Sequence, residues 1–188
     1  MADYRAILTV CEAIIRQFRV SYMPELFNLP RLEFKVCLSP ELLSRSRTLR
    51  AGVTLFLYEV RHNPAARNAP QRRTDDGRLE PLALQLDIRF LLTAWAREAS
   101  TQQAISGWMM RVMEDHPILL AAALNNVTPG AFHPDETVEI VLDELSSLDV
   151  LQIWEKSVRS SYQLSIPYLA RNIAVETLQP AQKPHDSG

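Results

Sequence analysis

Leu57-Tyr58-Glu59-Val60-Arg61-His62-Asn63-Pro64-Ala65-Ala66-Arg67-Asn68 begins as an apolar run suited to a strand and breaks at Asn63-Pro64. Aromatic and β-branched residues suit a pleated, half-buried surface, whereas proline lacks the N–H that a ladder needs. A polar, arginine-rich segment follows, and apolar residues resume at Leu79. Outward from this break, residues 49–60 and 82–94 read as two long strands, the second leucine-rich and interrupted by Asp87 and Arg89. They are expected to pair as an antiparallel ribbon joined by about 20 residues, a length at which loops tend to be functional or mobile.

Upstream, residues 4–22 predict a helix. Ile7, Leu8, Cys11, Ile14, Ile15 and Phe18 recur at the spacing of one buried face, with Arg5, Glu12, Arg16 and Gln17 opposite. Asp3 is the expected N-cap and Pro24 the stop. Leu32, Phe34, Val36 and Leu38 alternate with Glu33, Lys35 and Cys37 as a half-buried strand does. Ser39-Pro40 ends it, and a single helical turn is expected at residues 41–43.

Downstream, Ser100 or Thr101 is the expected cap of a second helix burying Ile105, Trp108, Met109, Val112 and Met113, with Met110 outward and an end near His116-Pro117. Residues 118–124 are apolar and fit helix or strand equally, and residues 125–134, with two prolines and a glycine, predict a loop. Val138, Ile140 and Leu142 alternate as a strand. Ser146 and Asp149 have the spacing of a capping box, opening a helix expected to bury Leu148, Leu151 and Trp154. Tyr162, Leu164 and Ile166 give a last strand, continued by Ile173 and Val175, which Pro167 assigns to an edge or a bulge. The fold class expected is α+β: a single domain with a mixed or antiparallel sheet, a long β-ribbon and about three flanking α-helices. The domain is placed at residues 1–177, with residues 178–188 as a disordered tail.

A length of 188 residues, 47% apolar and 22% charged, suits one ordinary globular domain. The net charge of −2 gives no bulk attraction to nucleic acid or to an anionic membrane. Residues 1–78 hold 13 Lys+Arg against 8 Asp+Glu, and residues 134–188 hold 4 against 9. This asymmetry reads either as scatter on a solvated surface or as complementary faces that meet in a ring or stack. Cys11 and Cys37, the two cysteines, read as buried free thiols. The start of the chain lacks the apolar core of a signal peptide, and no apolar run approaches a bilayer span of roughly 20 residues. Cytoplasmic folding is expected.

The chemistry of catalysis is not visible. His62, His116, His133 and His185 share no ligand spacing with each other or with the cysteines. There is no Walker loop, nucleophile elbow or dinucleotide fingerprint, and five glycines leave little for a phosphate cradle. Asp75-Asp76-Gly77 reads as a turn and Asp143-Glu144 as a strand-to-helix junction. No catalytic residue, metal ligand or cofactor is expected. Arg61, Arg67, Asn68, Arg72, Arg73 and Arg78 form a basic segment without the aromatic interleaving of single-strand nucleic-acid binders. Arginine pairs well with carboxylates, so protein contact or a solvated loop is preferred to nucleic acid. The competing reading is a small ligand-binding or enzymatic domain with a pocket near Trp108 and Trp154.

Read together, Leu38-Ser39-Pro40, Leu57-Tyr58-x-Val60-x-x-Asn63-Pro64-x-x-Arg67-Asn68, Pro81-Leu82-x-Leu84-x-Leu86, Leu91-Leu92-Thr93-Ala94-Trp95-Ala96, Trp154-Glu155 and Leu164-Ser165-Ile166-x-Tyr168-Leu169-x-Arg171 form a collinear pattern. In that order it resembles the tube-terminator (cap) family of extracellular contractile injection systems, phage-tail-like particles of the antifeeding-prophage type. The resemblance covers residues 4–176, with Phe90 where a tyrosine is commoner. Some members carry a longer C-terminal extension, whose role is expected to be absent here. The resemblance implies a non-enzymatic subunit, like the tail terminators of contractile phages. It would form a homo-oligomeric, hexameric ring that ends the inner tube and anchors the last sheath layer. Its protein partners would be the tube and the sheath, without nucleic acid or membrane, and it would assemble in the cytoplasm before release in the particle. The arginine segment is then the candidate docking loop.

Overall fold

A computed structural model describes residues 2–27, 29, 31–38, 50–63, 83–157 and 162–177. In it the expected ribbon forms from β2 (Gly52–His62) and β3 (Leu84–Trp95), antiparallel from Gly52 opposite Trp95 to His62 opposite Leu86. The other strands are β1 (Glu33–Cys37), β4 (Ile118–Leu120), β5 (Thr137–Leu142) and β6 (Ser165–Val175). They complete one six-stranded sheet in the order β1-β2-β3-β6-β5-β4, in which only β1 and β2 run parallel. The helices are α1 (Ala6–Ser21), α2 (Ala99–Asp115), the short α3 (Ala121–Asn125) and α4 (Ser147–Ser157). The mixed α+β class is as expected from the alternation of periods.

Side-chain alternation splits the core in two. Val53, Leu55, Ile88, Phe90, Leu92, Ala170 and Ile173 point to one face, where they meet Val10, Ile14, Ile15 and Phe18 of α1 and Ile105 and Met109 of α2. Each of these side chains larger than alanine contributes roughly 1.5–3 kcal/mol by leaving water. Trp108 of α2 closes the end of this core within ring-centroid distances of 5.6–6.4 Å from Phe18, Tyr22, Phe27 and Phe34. The intervening positions Phe56, Leu91 and Trp95 point to the opposite face and pack against Val150 and Trp154 of α4. There the Trp154 indole donates to Ser165 Oγ at 2.9 Å, and the Trp95 indole donates to Thr54 Oγ1 at 2.9 Å. Trp108 and Trp154 therefore lie on opposite faces of the sheet and share no pocket, contrary to the ligand-binding reading.

Several local expectations are corrected. Pro167 does not put β6 on an edge, because β6 pairs with β3 on one side and β5 on the other. Its carbonyl accepts the Asp143 N–H at 3.0 Å, just past the last residue of β5. A strand residue directs N–H and C=O to the same side, so the missing donor falls where β5 has already left the sheet. The bulge lies instead in β6 at Arg171 and Asn172, opposite Asp87 of β3, and the φ of 68° at Asn172 suits asparagine. On α4 the buried residues are Val150 and Trp154, whereas Leu148 and Leu151 are 64% and 48% exposed. On α1, Val10 is buried and Leu8 exposed. Glu98 rather than Ser100 or Thr101 precedes α2, with no side-chain cap bond. Arg5 occupies the N-cap position of α1, while Asp3 Oδ1 accepts the Arg5 N–H one step earlier at 2.7 Å.

Other expectations hold. Ser146 and Asp149 make the capping box, with Asp149 N–H to Ser146 Oγ at 3.2 Å and Ser146 N–H to Asp149 Oδ2 at 3.2 Å. Cys11 and Cys37 are both buried, and Cys11 is a free thiol. The ambiguous segment 118–124 divides into the edge strand β4 and the helical turn α3. The expected turn at residues 41–43 and the tail at 178–188 lie outside the described residues.

One glycine is fixed by close approach. A Cβ at Gly52 would sit 2.1 Å from the Glu33 carbonyl oxygen, across the parallel pair that attaches β1 to the sheet. Gly52→Ala is expected to push β1 off the ribbon and lower stability by about 1–3 kcal/mol, as overpacking does. Urea unfolding followed by circular dichroism measures the loss.

Candidate assembly surface

The ribbon outruns its helical cover, and a bulge decides what it displays there. The register of β2 on β3 shifts between Leu57 and Glu59, so Leu57 opposes Phe90 and Glu59 opposes Arg89 with Tyr58 unpaired. A bulge of this kind turns two successive side chains toward one face. Tyr58 and Glu59 consequently both join Arg89 and Asp143 on the α4 side, beyond the end of α4.

These residues interlock. The Tyr58 hydroxyl donates to Asp143 Oδ2 at 2.8 Å, and Arg89 stands 3.4 Å from Asp143 and 3.7 Å from Glu59. Arg61 then donates to Glu59 Oε1 at 2.6 Å. The Asp143 side chain is only 4% exposed, and a carboxylate so buried needs both of its partners. On the same face Arg171 grips Glu139 with bonds of 2.9 and 3.3 Å across β6 and β5. Asn63 continues the ribbon past the end of β2, its N–H donating to the Gln85 carbonyl at 2.9 Å and its amide to Asp87 Oδ1 at 3.3 Å. Thus the chain enters the arginine segment from a rigid, charge-paired platform.

Of the sequence-derived docking residues, Arg61 is placed at this tip, with its side chain 57% exposed and held by Glu59. That hydrogen bond is the largest cause of the raised Arg61 pKa. Arg67, Asn68, Arg72, Arg73 and Arg78 lie outside the described residues, as do Asp75 and Asp76. Asp143 of the second carboxylate pair is bound to Tyr58 and Arg89, a structural arrangement. His62, His116 and His133 are exposed, and no group of three potential ligands gathers around a metal position among the described residues. Among those residues no helix is long and apolar enough to cross a membrane.

Sequence reasoning missed the apolar surface of α4, because Leu148 and Leu151 and the pair Val150 and Trp154 each satisfy helical spacing. The indole settled the choice, since it alone reaches a buried hydroxyl on the sheet. It also missed a groove of about 440 Å³ between α1, α3 and β4, lined by Val20, Ile118 and Leu120 among others. Exposed Val20 at the wet end of α1 was its one sequence signal.

Tyr58 on this face and Tyr168 in the core on the opposite face of the sheet both respond to high pH. Burial, then the bond to Asp143, pushes the Tyr58 phenol up, and burial followed by the nearby Glu114 charge pushes Tyr168 up to about 12 from an ordinary 10. Folding holds both phenols neutral, so their contribution is intact below the unfolded value and is lost as pH rises through the folded one. Urea midpoints are expected to fall between about pH 10 and about 12. Tyr168→Phe should fall less steeply over that window, because it removes one of the linked protons.

With the geometry in place, the similarities are informative. Residues 9–186 match the family described as the Pvc16 N-terminal domain. The fold is similar to that of the anti-feeding prophage cap, the AFP tube terminating cap, with a TM-score of 0.61 at 16% identity over 95% of this chain and 58% of that one. It is also similar to a PVC sheath/tube terminator in the extended state, from an extracellular contractile injection system. There the TM-score is 0.53 at 18% identity, over 97% of this chain and 64% of that one. This chain therefore spans about three-fifths of the length of either solved protein. No curated protein matches the sequence.

Proposed function

The chain belongs to the Pvc16 N-terminal domain family, and from that membership we propose that it is a tube terminator of a phage-tail-like contractile injection particle. It caps the end of the inner tube, ends tube growth and anchors the terminal sheath layer. The observation that carries this reading is the likeness to a tube terminating cap across 95% of this chain. A protein of this kind works by shape and charge, without catalysis. That agrees with a face whose ionisable groups are committed to one another, Asp143 to Tyr58 and Arg89, and Glu139 to Arg171.

In this reading the subunits form a homo-oligomeric ring of six. The partners are the tube protein on one side and the sheath protein on the other, with no nucleic acid or membrane. Assembly takes place in the cytoplasm and the finished particle acts outside the cell. The docking element is the segment carrying Arg61, Arg67, Asn68, Arg72, Arg73 and Arg78. Its base is braced by the Glu59–Arg89–Asp143 cluster, and its guanidinium groups suit bidentate pairing with carboxylates of the ring below.

Reversing Arg67, Arg72 and Arg73 to glutamate is expected to reduce the yield of capped particles and broaden their lengths. The far-ultraviolet circular dichroism and unfolding midpoint of the subunit should not change. Particles of normal yield and length from the triple variant would remove the loop from the docking role.

A further inference from the structure

The groove between α1, α3 and β4 and the outward stripe of α4 are two apolar surfaces that find no cover among the described residues. The groove has a volume of about 440 Å³, in the ~300–1,000 Å³ range of sites that bury a ligand. Val20, 77% exposed, faces the exposed edge-strand residues Ile118 and Leu120 across it. Its lining contains Arg16 and His116 but no carboxylate. It also contains Gln17, whose Oε1 is buried without a donor among the described residues.

The stripe has the opposite character. Leu148, Leu151, Gln152 and Glu155 fall at i, i+3, i+4 and i+7 along α4, and all are exposed. Val150 and Trp154 hold the other side of this helix against the sheet, so the stripe is presented on a fixed support. The groove is built on the α1 side of the sheet and the stripe on the α4 side, so the two cannot meet within one chain.

We propose that the groove receives the α4 stripe of a second copy of this chain. Leu148 and Leu151 enter between Val20 and the β4 residues, and Gln152 supplies an amide donor toward Gln17. Glu155 approaches Arg16, which engages the Asn126 carbonyl at 2.8 Å through one guanidinium nitrogen. The sign of charge fits, with Glu155 of the stripe against a groove whose described lining holds Arg16 and no carboxylate. Since groove and stripe are different surfaces, the contact is head-to-tail, and repeating it closes a ring or extends a filament. This deepens the terminator reading by naming the subunit contact of its ring, and it rests on that reading for its biological purpose.

The test uses the full chain and exposed positions. One variant carries Leu148→Asp with Leu151→Asp, the other Val20→Asp with Ala123→Asp, and circular dichroism verifies folding of each. In sedimentation at high protein concentration the unaltered chain should form species larger than dimers, and each variant alone should stay monomeric. An equal mixture of the two should stop at dimers, because one intact groove and one intact stripe remain. Arg16→Glu or Glu155→Arg singly should weaken association roughly tenfold, and the double exchange should restore it. A strictly monomeric unaltered chain overturns the proposal, as does association of either variant like the unaltered chain, or a mixture growing past dimers. A stripe variant that still fills grooves would show that another segment occupies them. Lost pairing with intact control of tube length removes this contact alone, whereas intact pairing in a chain whose deletion leaves tube length unchanged removes the terminator reading alone.

Discussion

β6 pairs with β3 from Leu84 opposite Val175 to Thr93 opposite Ser165, and with β5 from Glu139 opposite Arg171 to Leu142 opposite Tyr168. Without it the sheet would divide into a β1-β2-β3 unit and a β5-β4 pair, each with an uncovered inner edge. The last strand is thus the join on which both helical layers depend. Its pairings are far apart in sequence, so the entropy of closing long loops must be met before they form. Ala2 reinforces the join from the other end of the chain, donating to the Ala174 carbonyl at 2.8 Å and accepting from the Glu176 N–H at 2.7 Å.

That join determines which surfaces remain for partners. With β2, β3, β6 and β5 inside, the sheet edges are the five residues of β1 and the three of β4, short edges of the kind that resist indiscriminate strand pairing. Among the described residues, α4 packs on the Trp95 end of its face. Past it, the β2 bulge places Tyr58 and Glu59 together and the β6 bulge turns the strand at Asn172, so the uncovered part carries paired charges. Among the described residues, apolar exposure on α4 and along the β4 groove stands beside scattered exposed side chains such as Leu8 and Val60.

The sequence made the ribbon, the amphipathic first helix and the Ser146 capping box legible because each rests on local spacing. Pro167 misled because the rule about proline concerns where its absent N–H would point, and that depends on where β5 ends. The α4 face was misassigned because two overlapping sets of apolar residues satisfy helical spacing, and only the tertiary contacts of Trp154 choose between them. Trp108 and Trp154 are alike in chemistry, yet the helices that carry them, α2 and α4, pack on opposite faces of the sheet. The collinear motifs pointed to the family now shown by residues 9–186. Within the docking segment only Arg61 is placed by the described structure.

A tube terminator is defined by what happens to tube length when it is missing. The decisive measurement is the length distribution of particles produced with and without this chain, by electron microscopy, together with a map of the tube end. The terminator account predicts uniform particles with a distinct end ring when the chain is present, and long or variable tubes lacking that ring when it is absent. Uniform particles of unchanged length and an unchanged end structure without the chain would contradict it.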